Sequence, residues 1–131
     1  MLDFKDKVVL VTGGAGGIGA AICSMFARQG AMVLMTYNSS KEKAKLLCEK
    51  IREEGHKCDM YKLDVSDYAA VQMVVEDILK SCGKIDILVN NAGITKDQLL
   101  LRMSEDDFDS VISVNLKGTW NMIKTVSPAM V

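Results

Sequence analysis

The sequence has a single proline and no low-complexity or Pro-rich linker, so nothing in it marks a boundary between two domains. Residues 1–131 are read as one unit. It has no excess charge: Lys+Arg 16 against Asp+Glu 17 leaves a formal net charge of −1. That balance gives no basic surface for nucleic acid and no acidic tail. No apolar run approaches the ~20 residues that span a bilayer, so no membrane partner is expected. The opening Met1-Leu2-Asp3-Phe4-Lys5-Asp6-Lys7 has acids and no apolar core, unlike a secretory leader. The cysteines Cys23, Cys48, Cys58 and Cys82 include no CxxC pair and no zinc spacing, and no metal site is expected. They read as reduced thiols of a cytoplasmic protein.

What is present is an ordinary globular mix, 49% hydrophobic and 25% charged, which argues against disorder. Val8-Val9-Leu10-Val11 is short, apolar and mostly β-branched, the mark of a buried strand. A helix follows, with Ile18, Ile22, Met25, Phe26 and Gln29 on its expected inner face and Gly30 as its stop. Met32 to Thr36 reads as a second strand. Ser40 then caps a charged helix, Lys41 to Glu54, with Ala44, Leu47, Cys48 and Ile51 inward. Lys57 to Leu63 reads as a third strand. Ser66 or Asp67 caps a helix striped by Val71, Val74, Val75, Ile78, Leu79 and Cys82, which Gly83 ends. Ile85 to Val89 is the fourth strand. Ser104, three residues before Asp107, opens a last long helix in a capping-box-like start. Its expected inner stripe is Phe108, Val111, Ile112, Leu116, Thr119, Trp120 and Ile123.

The order βαβαβαβα implies an α/β fold: a Rossmann-like, doubly wound parallel sheet with helices on both faces. One strand–helix step takes about 30 residues, so the chain holds roughly four. A full dinucleotide-binding sheet has about six strands. The expected fold is therefore truncated after about four βα units.

Four segments carry chemistry. Thr12-Gly13-Gly14-Ala15-Gly16-Gly17-Ile18-Gly19 joins the first strand to the first helix. Glycines there let the backbone turn tightly and approach a pyrophosphate, whose charge the helix start receives. The glycines alone fit two registers, Gly14/Gly16/Gly19 and Gly13/Gly17/Gly19. The second strand ends in Tyr37-Asn38-Ser39-Ser40-Lys41, with no acid before Glu42. A carboxylate there would repel a 2′-phosphate, whereas an amide, hydroxyls and a lysine suit one. NADP(H) is therefore favoured over NAD(H), although Ser39 and Ser40 could equally serve the next helix as caps. Asp64-Val65 ends the third strand, where Asp64 could accept from an adenine amino group or cap the following helix. Asn90-Asn91-Ala92-Gly93 ends the fourth, two amides with two small residues that allow close backbone approach. Asn115 falls on the stripe of the last helix. A buried amide there is either a structural bridge or a holder of water or a side chain at an active site.

Taken together, Thr12-Gly13 with Gly17 and Gly19, Asp64-Val65, Asp86-Ile87-Leu88-Val89-Asn90-Asn91-Ala92-Gly93 and Val114-Asn115-Leu116 resemble the short-chain dehydrogenase/reductase family over essentially the whole chain. The stretch from Asn91 through Ile94-Thr95-Lys96-Asp97, Leu99-Leu100 and Arg102-Met103 looks most like its 3-oxoacyl-[acyl-carrier-protein] reductase branch. The resemblance favours the register Gly13/Gly17/Gly19. It implies that the loop of Gly13, Ala15, Gly16, Gly17, Ile18 and Gly19 holds pyrophosphate and ribose. It implies Asn38 and Ser39 at the 2′-phosphate, Asp64 and Val65 at the adenine, and Asn91, Ala92 and Gly93 at the nicotinamide ribose. It gives Asn115 the place of the Asn in the family's catalytic Asn-Ser-Tyr-Lys set. Many NADP-preferring members carry a basic residue in the glycine loop, where this chain has Gly16.

The catalytic Ser and the Y-x-x-x-K pair follow the last helix in the family and are absent from these residues. The one Y-x-x-x-K here, Tyr37 and Lys41, belongs to the adenosine end and reads as coincidence. The resemblance thus describes the N-terminal portion of an NADP(H)-dependent ketoreductase, inactive alone, whose whole would reduce a 3-oxoacyl thioester or similar ketone. The alternative is a non-catalytic short form that binds nucleotide or a partner. In the family, helices of the 105–126 region build subunit contacts, which implies self-association or pairing with a full-length relative. A nucleotide-binding transferase with a Gly-rich loop fits Asn90-Asn91-Ala92-Gly93 and Asn115 poorly.

Overall fold

The computed structural model describes residues 3–93 and 100–131. Met1, Leu2 and the stretch from Ile94 to Leu99, which carried part of the leader reading and of the branch resemblance, lie outside the described residues. The elements run β1 (Val8–Thr12), α1 (Gly17–Arg28), β2 (Met32–Tyr37), α2 (Lys41–Glu53), β3 (Lys57–Lys62), α3 (Tyr68–Cys82) and β4 (Ile87–Asn90). A 3-10 turn (Leu100–Arg102) then precedes α4 (Glu105–Ile112), a π-helical turn (Ser113–Lys117) and α5 (Gly118–Met130).

The four strands form one parallel sheet in the order β3-β2-β1-β4. The chain winds outward from β1 to β3, then returns across β1 to lay β4 on its other side. Apolar side chains of β1 and β2 point alternately to the two faces. Val9, Val11, Val33 and Met35 meet α1 and α2, while Val8, Leu10 and Leu34 meet α3 and α5. The doubly wound sheet of four βα units expected from the sequence is the fold observed.

The helix ends show why the chain breaks where it does. Asp67 caps α3 by accepting from the Ala70 N–H at 3.1 Å, and Gly83 ends it in the left-handed region at φ 78°. Ser104 caps α4 through the Asp107 N–H at 3.0 Å. Ser40 occupies the N-cap position of α2 but makes no capping bond with its side chain.

Three expectations change. The fourth strand begins at Ile87, not Ile85. Ile85 is buried just before it, and Asp86 joins β4 to β1 by accepting from the Val8 N–H at 2.8 Å. In α1 the buried positions are Gly19, Cys23 and Ala27, while Ile18 is 74% exposed and Met25 is also exposed. A helix lying close on a sheet buries its small residues, so the large apolar ones mark the wrong centre for the face. The last helix is not one regular element. Its expected inner stripe is largely outside: Phe108, Ile112, Leu116, Trp120 and Ile123 are all exposed, and Gly118, Asn121, Met122 and Val126 are buried instead.

Candidate functional site

A cleft of about 360 Å³ opens at the C-terminal ends of the strands. It lies where the chain reverses direction between β1 and β4, the place where open α/β sheets bind ligands. Gly13, Ala15 and Gly16 line it from the first turn, Thr36, Tyr37, Asn38, Ser39 and Ser40 from the end of β2, and Leu63, Asp64 and Val65 from the end of β3. Asn91, Ala92, Gly93 and Val114 complete the wall.

The glycine turn owes its shape to particular positions. Gly13 and Gly17 sit at φ 64° and 51°, in the region that side chains disfavour. A Cβ on Gly13 would stand 2.9 Å from the Ala92 Cα. One on Gly19 would press on the Gly13 carbonyl oxygen and stand 2.6 Å from the Asn91 Nδ2. One on Gly14 would meet the Met35 Cβ at 2.7 Å and the Cys23 Sγ at 2.9 Å. Around Gly16, by contrast, there is open space. The turn leads into α1, whose first N–H groups have no acceptor within the helix and carry its positive end.

Two buried threonines hold this geometry. Thr12 Oγ1 accepts from the N–H groups of Asn91 and Ala92 at 3.1 and 3.0 Å, tying β4's end to the glycine turn. Thr36 Oγ1 accepts from the Gly13 N–H at 3.2 Å, tying the turn to β2. Asn91 Nδ2 donates to the Gly13 carbonyl at 2.9 Å. Sequence reasoning assigned no role to Thr36, and quoted Thr12 only as part of the glycine motif. The available signal was a hydroxyl closing an otherwise apolar strand at its ligand end.

The other expected site residues divide. Asn38, Ser39, Asp64, Val65, Ala92 and Gly93 line the cleft. Asp64 does not cap α3, since Asp67 does. Its Oδ1 accepts from both the N–H and the hydroxyl of Ser66, at 3.0 and 2.7 Å. Gly17, Ile18 and Gly19 do not line the cleft: Ile18 faces outward, and Gly19 packs beneath the turn. Asn115 lies in the π-helical turn and is exposed, not buried in the core. Its Oδ1 stands 3.1 Å from where a Cβ of Gly93 would be, so it faces the end of β4. A widened turn is a common way to re-aim one side chain at a functional site.

The buried amide of this region is Asn121, which sequence reasoning missed. Its Nδ2 donates to the Val65 carbonyl at 2.8 Å, while its Oδ1 finds no hydrogen-bond partner among the described residues. An unmet buried acceptor costs about 1–3 kcal/mol. One turn before it, Gly118 lets the Val65 side chain approach the helix: a Cβ there would stand 2.5 Å from the Val65 Cγ2. The spacing Gly118, Asn121, Met122, Val126 carried this signal, obscured by the larger apolar residues on the other side.

The thiols are unpaired. Cys23, Cys48 and Cys58 are buried under the first face of the sheet. Cys23 Sγ donates to the Gly14 carbonyl at 3.8 Å. Burial pushes its pKa up to about 12, and burial together with neighbouring Cys48 pushes Cys58 higher still. Such thiols are poor nucleophiles.

Comparison with known proteins agrees with this architecture. The family model described as short chain dehydrogenase matches residues 7–131. The chain is 46% identical over 130 residues to the 3-oxoacyl-[acyl-carrier-protein] reductase FabG of Thermotoga maritima, covering 99% of this chain and 52% of that protein. A dehydrogenase/reductase from Sinorhizobium meliloti superposes with a TM-score of 0.93 at 33% identity, over 98% of this chain and 51% of that one. A short chain dehydrogenase from Burkholderia cenocepacia, solved in complex with NADP, superposes at 0.93 and 34% identity, over 98% and 53%. The chain spans about half the length of the curated relatives it matches. With four parallel strands in this order, a glycine turn at the point of reversal and a family match from residue 7 to residue 131, the chain belongs to the short chain dehydrogenase family.

Proposed function

We propose that this chain is the cofactor-binding portion of an NADP(H)-dependent ketoreductase acting on a 3-oxoacyl thioester or a similar ketone. The observation that carries the reading is the glycine turn, held by Thr12, Thr36 and Asn91 so that it opens into the cleft at the start of α1. Two features support a dinucleotide there: Gly13 and Gly16 line the cleft, and the open space around Gly16 leaves room for phosphate oxygens beside the helix start. Asn38, Ser39 and Ser40 would hold the 2′-phosphate. The Ser40 side chain makes no capping bond, which leaves its hydroxyl for that role. Asp64 and Val65 would border the adenine. Gly93, facing Asn115, would border the nicotinamide ribose. When bound, the cofactor supplies the hydride. Asn115 would order a water near the reacting carbonyl. The residues given after Asn115 hold no Ser followed by Y-x-x-x-K, so the reducing step is proposed for the whole protein and cofactor binding for this portion.

The test is a titration of this chain with NADPH and NADH, following the emission of the reduced nicotinamide. Trp120 does not line the cleft and stacks instead near Tyr68, at 6.0 Å between centroids, so it is a poor reporter. Saturable binding that favours NADPH supports the reading. Equal affinity removes the 2′-phosphate assignment, and no binding removes the whole.

A second reading has its own observation. Phe108, Ile112, Leu116, Trp120 and Ile123 form an exposed apolar strip at spacings of four, four, four and three residues. Acidic Glu105, Asp106 and Asp107 stand at one end of it, and Lys117 and Lys124 toward the other. Two copies of the strip laid antiparallel would set acid against lysine at both ends, as a two-fold interface requires. The chain then self-associates through the 105–126 region, or pairs there with a full-length relative. Sedimentation of the chain and of a Leu116→Asp variant tests this. A monomer in both cases removes self-association, and failure to co-sediment with a full-length relative removes the pairing.

A further inference from the structure

We propose that Asn121, buried in α5 and not itself part of the cleft lining, is a positioning residue that sets the adenosine end of the cofactor cleft. The inference rests on the cofactor reading above.

Val65 is 5% exposed, and what little it shows forms cleft wall at the end of β3. No strand hydrogen bond holds it, because β3 ends at Lys62. It is held from behind, by α5. Asn121 Nδ2 takes its carbonyl at 2.8 Å, and Gly118 lets its side chain sit against the helix. Just ahead of it, the Leu63 N–H donates to the Tyr37 carbonyl at 2.8 Å, so this end of β3 is fixed against the end of β2. Asp64 lies between these two anchors: its carboxylate is held locally by Ser66, and its backbone takes its place from both. Removing the Asn121 donor frees one anchor and leaves the other. Asp64 and Val65 then lose their place relative to Asn38 and Ser39, while the glycine turn, held by Thr12, Thr36 and Asn91, does not move. Asn121 thus acts on one half of a dinucleotide site without touching it. That its Oδ1 has no partner among the described residues agrees: there the side chain is oriented by its bond to Val65.

The test separates the two halves of the ligand. Adenosine 2′,5′-bisphosphate and reduced nicotinamide mononucleotide are titrated separately against the chain and against Asn121→Leu, which keeps the branched shape, though bulkier, without the donor. The expected result is a loss of about tenfold or more for the adenosine compound. The nicotinamide compound should stay within twofold. A general loss of stability would instead weaken both together, and that result overturns the proposal, as does equal adenosine affinity. Gly118→Ala, which pushes Val65 from the same side, is the second variant and should show the same one-sided loss. If neither variant folds, the contact serves stability alone and the proposal fails. If the unaltered chain binds neither compound, the cofactor reading fails first and the inference with it.

Discussion

The five glycines of the first turn look interchangeable in sequence, and their surroundings say they are not. Gly19→Ala and Gly16→Ser are the pair that exposes this. At Gly19 a methyl group would press on the Gly13 carbonyl oxygen and on the Asn91 Nδ2. Forcing a methyl into packed surroundings costs about 1–3 kcal/mol. Displacing Asn91 also loses its bond to Gly13, about 0.5–1.5 kcal/mol. Alanine's better helix propensity returns about 1 kcal/mol. The net is a destabilisation of about 0.5–3.5 kcal/mol. At Gly16 the space is open, and φ −131° with ψ 154° suits any residue at an N-cap. Serine there should stabilise by a few tenths of a kcal/mol, roughly the difference between the two as caps. Urea unfolding gives the stability of each, through a shifted midpoint at unchanged slope. NADPH titration of the same samples gives the consequence for the cleft. Gly19→Ala should lose both stability and affinity, and Gly16→Ser should melt at or above the parent. If the two behave alike, or if Gly19→Ala is silent, the close packing of turn, helix and Asn91 described above is wrong.

Asp86 accepts from the Val8 N–H, and that bond together with Lys84 at 3.1 Å holds its carboxyl below the ordinary value of 3.8. A lowered folded pKa stabilises the chain above the unfolded value, and the contribution is lost as pH falls from about 4 through the lower, folded value. Asp86→Asn should therefore flatten the acid limb of a thermal-melt series below pH 4; an unchanged limb refutes the assignment. Cys82 is only partly buried, whereas the other three cysteines are buried. A thiol reagent should therefore label Cys82 first and reach Cys23, Cys48 and Cys58 only on unfolding; early labelling of all four would contradict the packing. Gly16→Arg should tighten NADPH over NADH, because it sets a fixed positive charge beside Ser39 and Ser40 at the cleft; unchanged selectivity in paired titrations would place the 2′-phosphate elsewhere.

The two central strands were legible because they are buried on both faces and read as continuous apolar runs, as with Val8-Val9-Leu10-Val11. Asp67, Gly83 and Ser104 mark their helix ends in sequence and in space alike. The helix faces were less legible. Residue size misled in α1, where the interface with the sheet is centred on Gly19, Cys23 and Ala27 while Ile18 and Met25 point away. It misled again after residue 104, where the strongest apolar stripe is exposed. Periodicity reports that a face is apolar, not which surface it meets. The cleft's lining was read from motifs, since its glycines and amides are local signals at strand ends. Its fastenings were not, because Thr36 to Gly13 and Asn121 to Val65 join residues 23 and 56 positions apart.

The bond from Asn91 to Gly13 spans 78 residues, and it carries a consequence for synthesis. A ribosome adding 5–20 residues per second reaches Asn91 roughly 4–16 s after it has made Gly13. Until then the glycine turn has only its Thr36 bond, since the Thr12 bonds and the Asn91 side-chain bond both wait for residues 91 and 92, and β1 has an open edge on the side where β4 belongs. Non-local parallel pairing of this kind closes late. The nascent chain therefore presents an apolar, half-paired strand for many seconds, which is a natural substrate for holding chaperones. The nucleotide cleft is then among the last features to come into being, and a ligand that needs both of its walls can only capture chains already past that step.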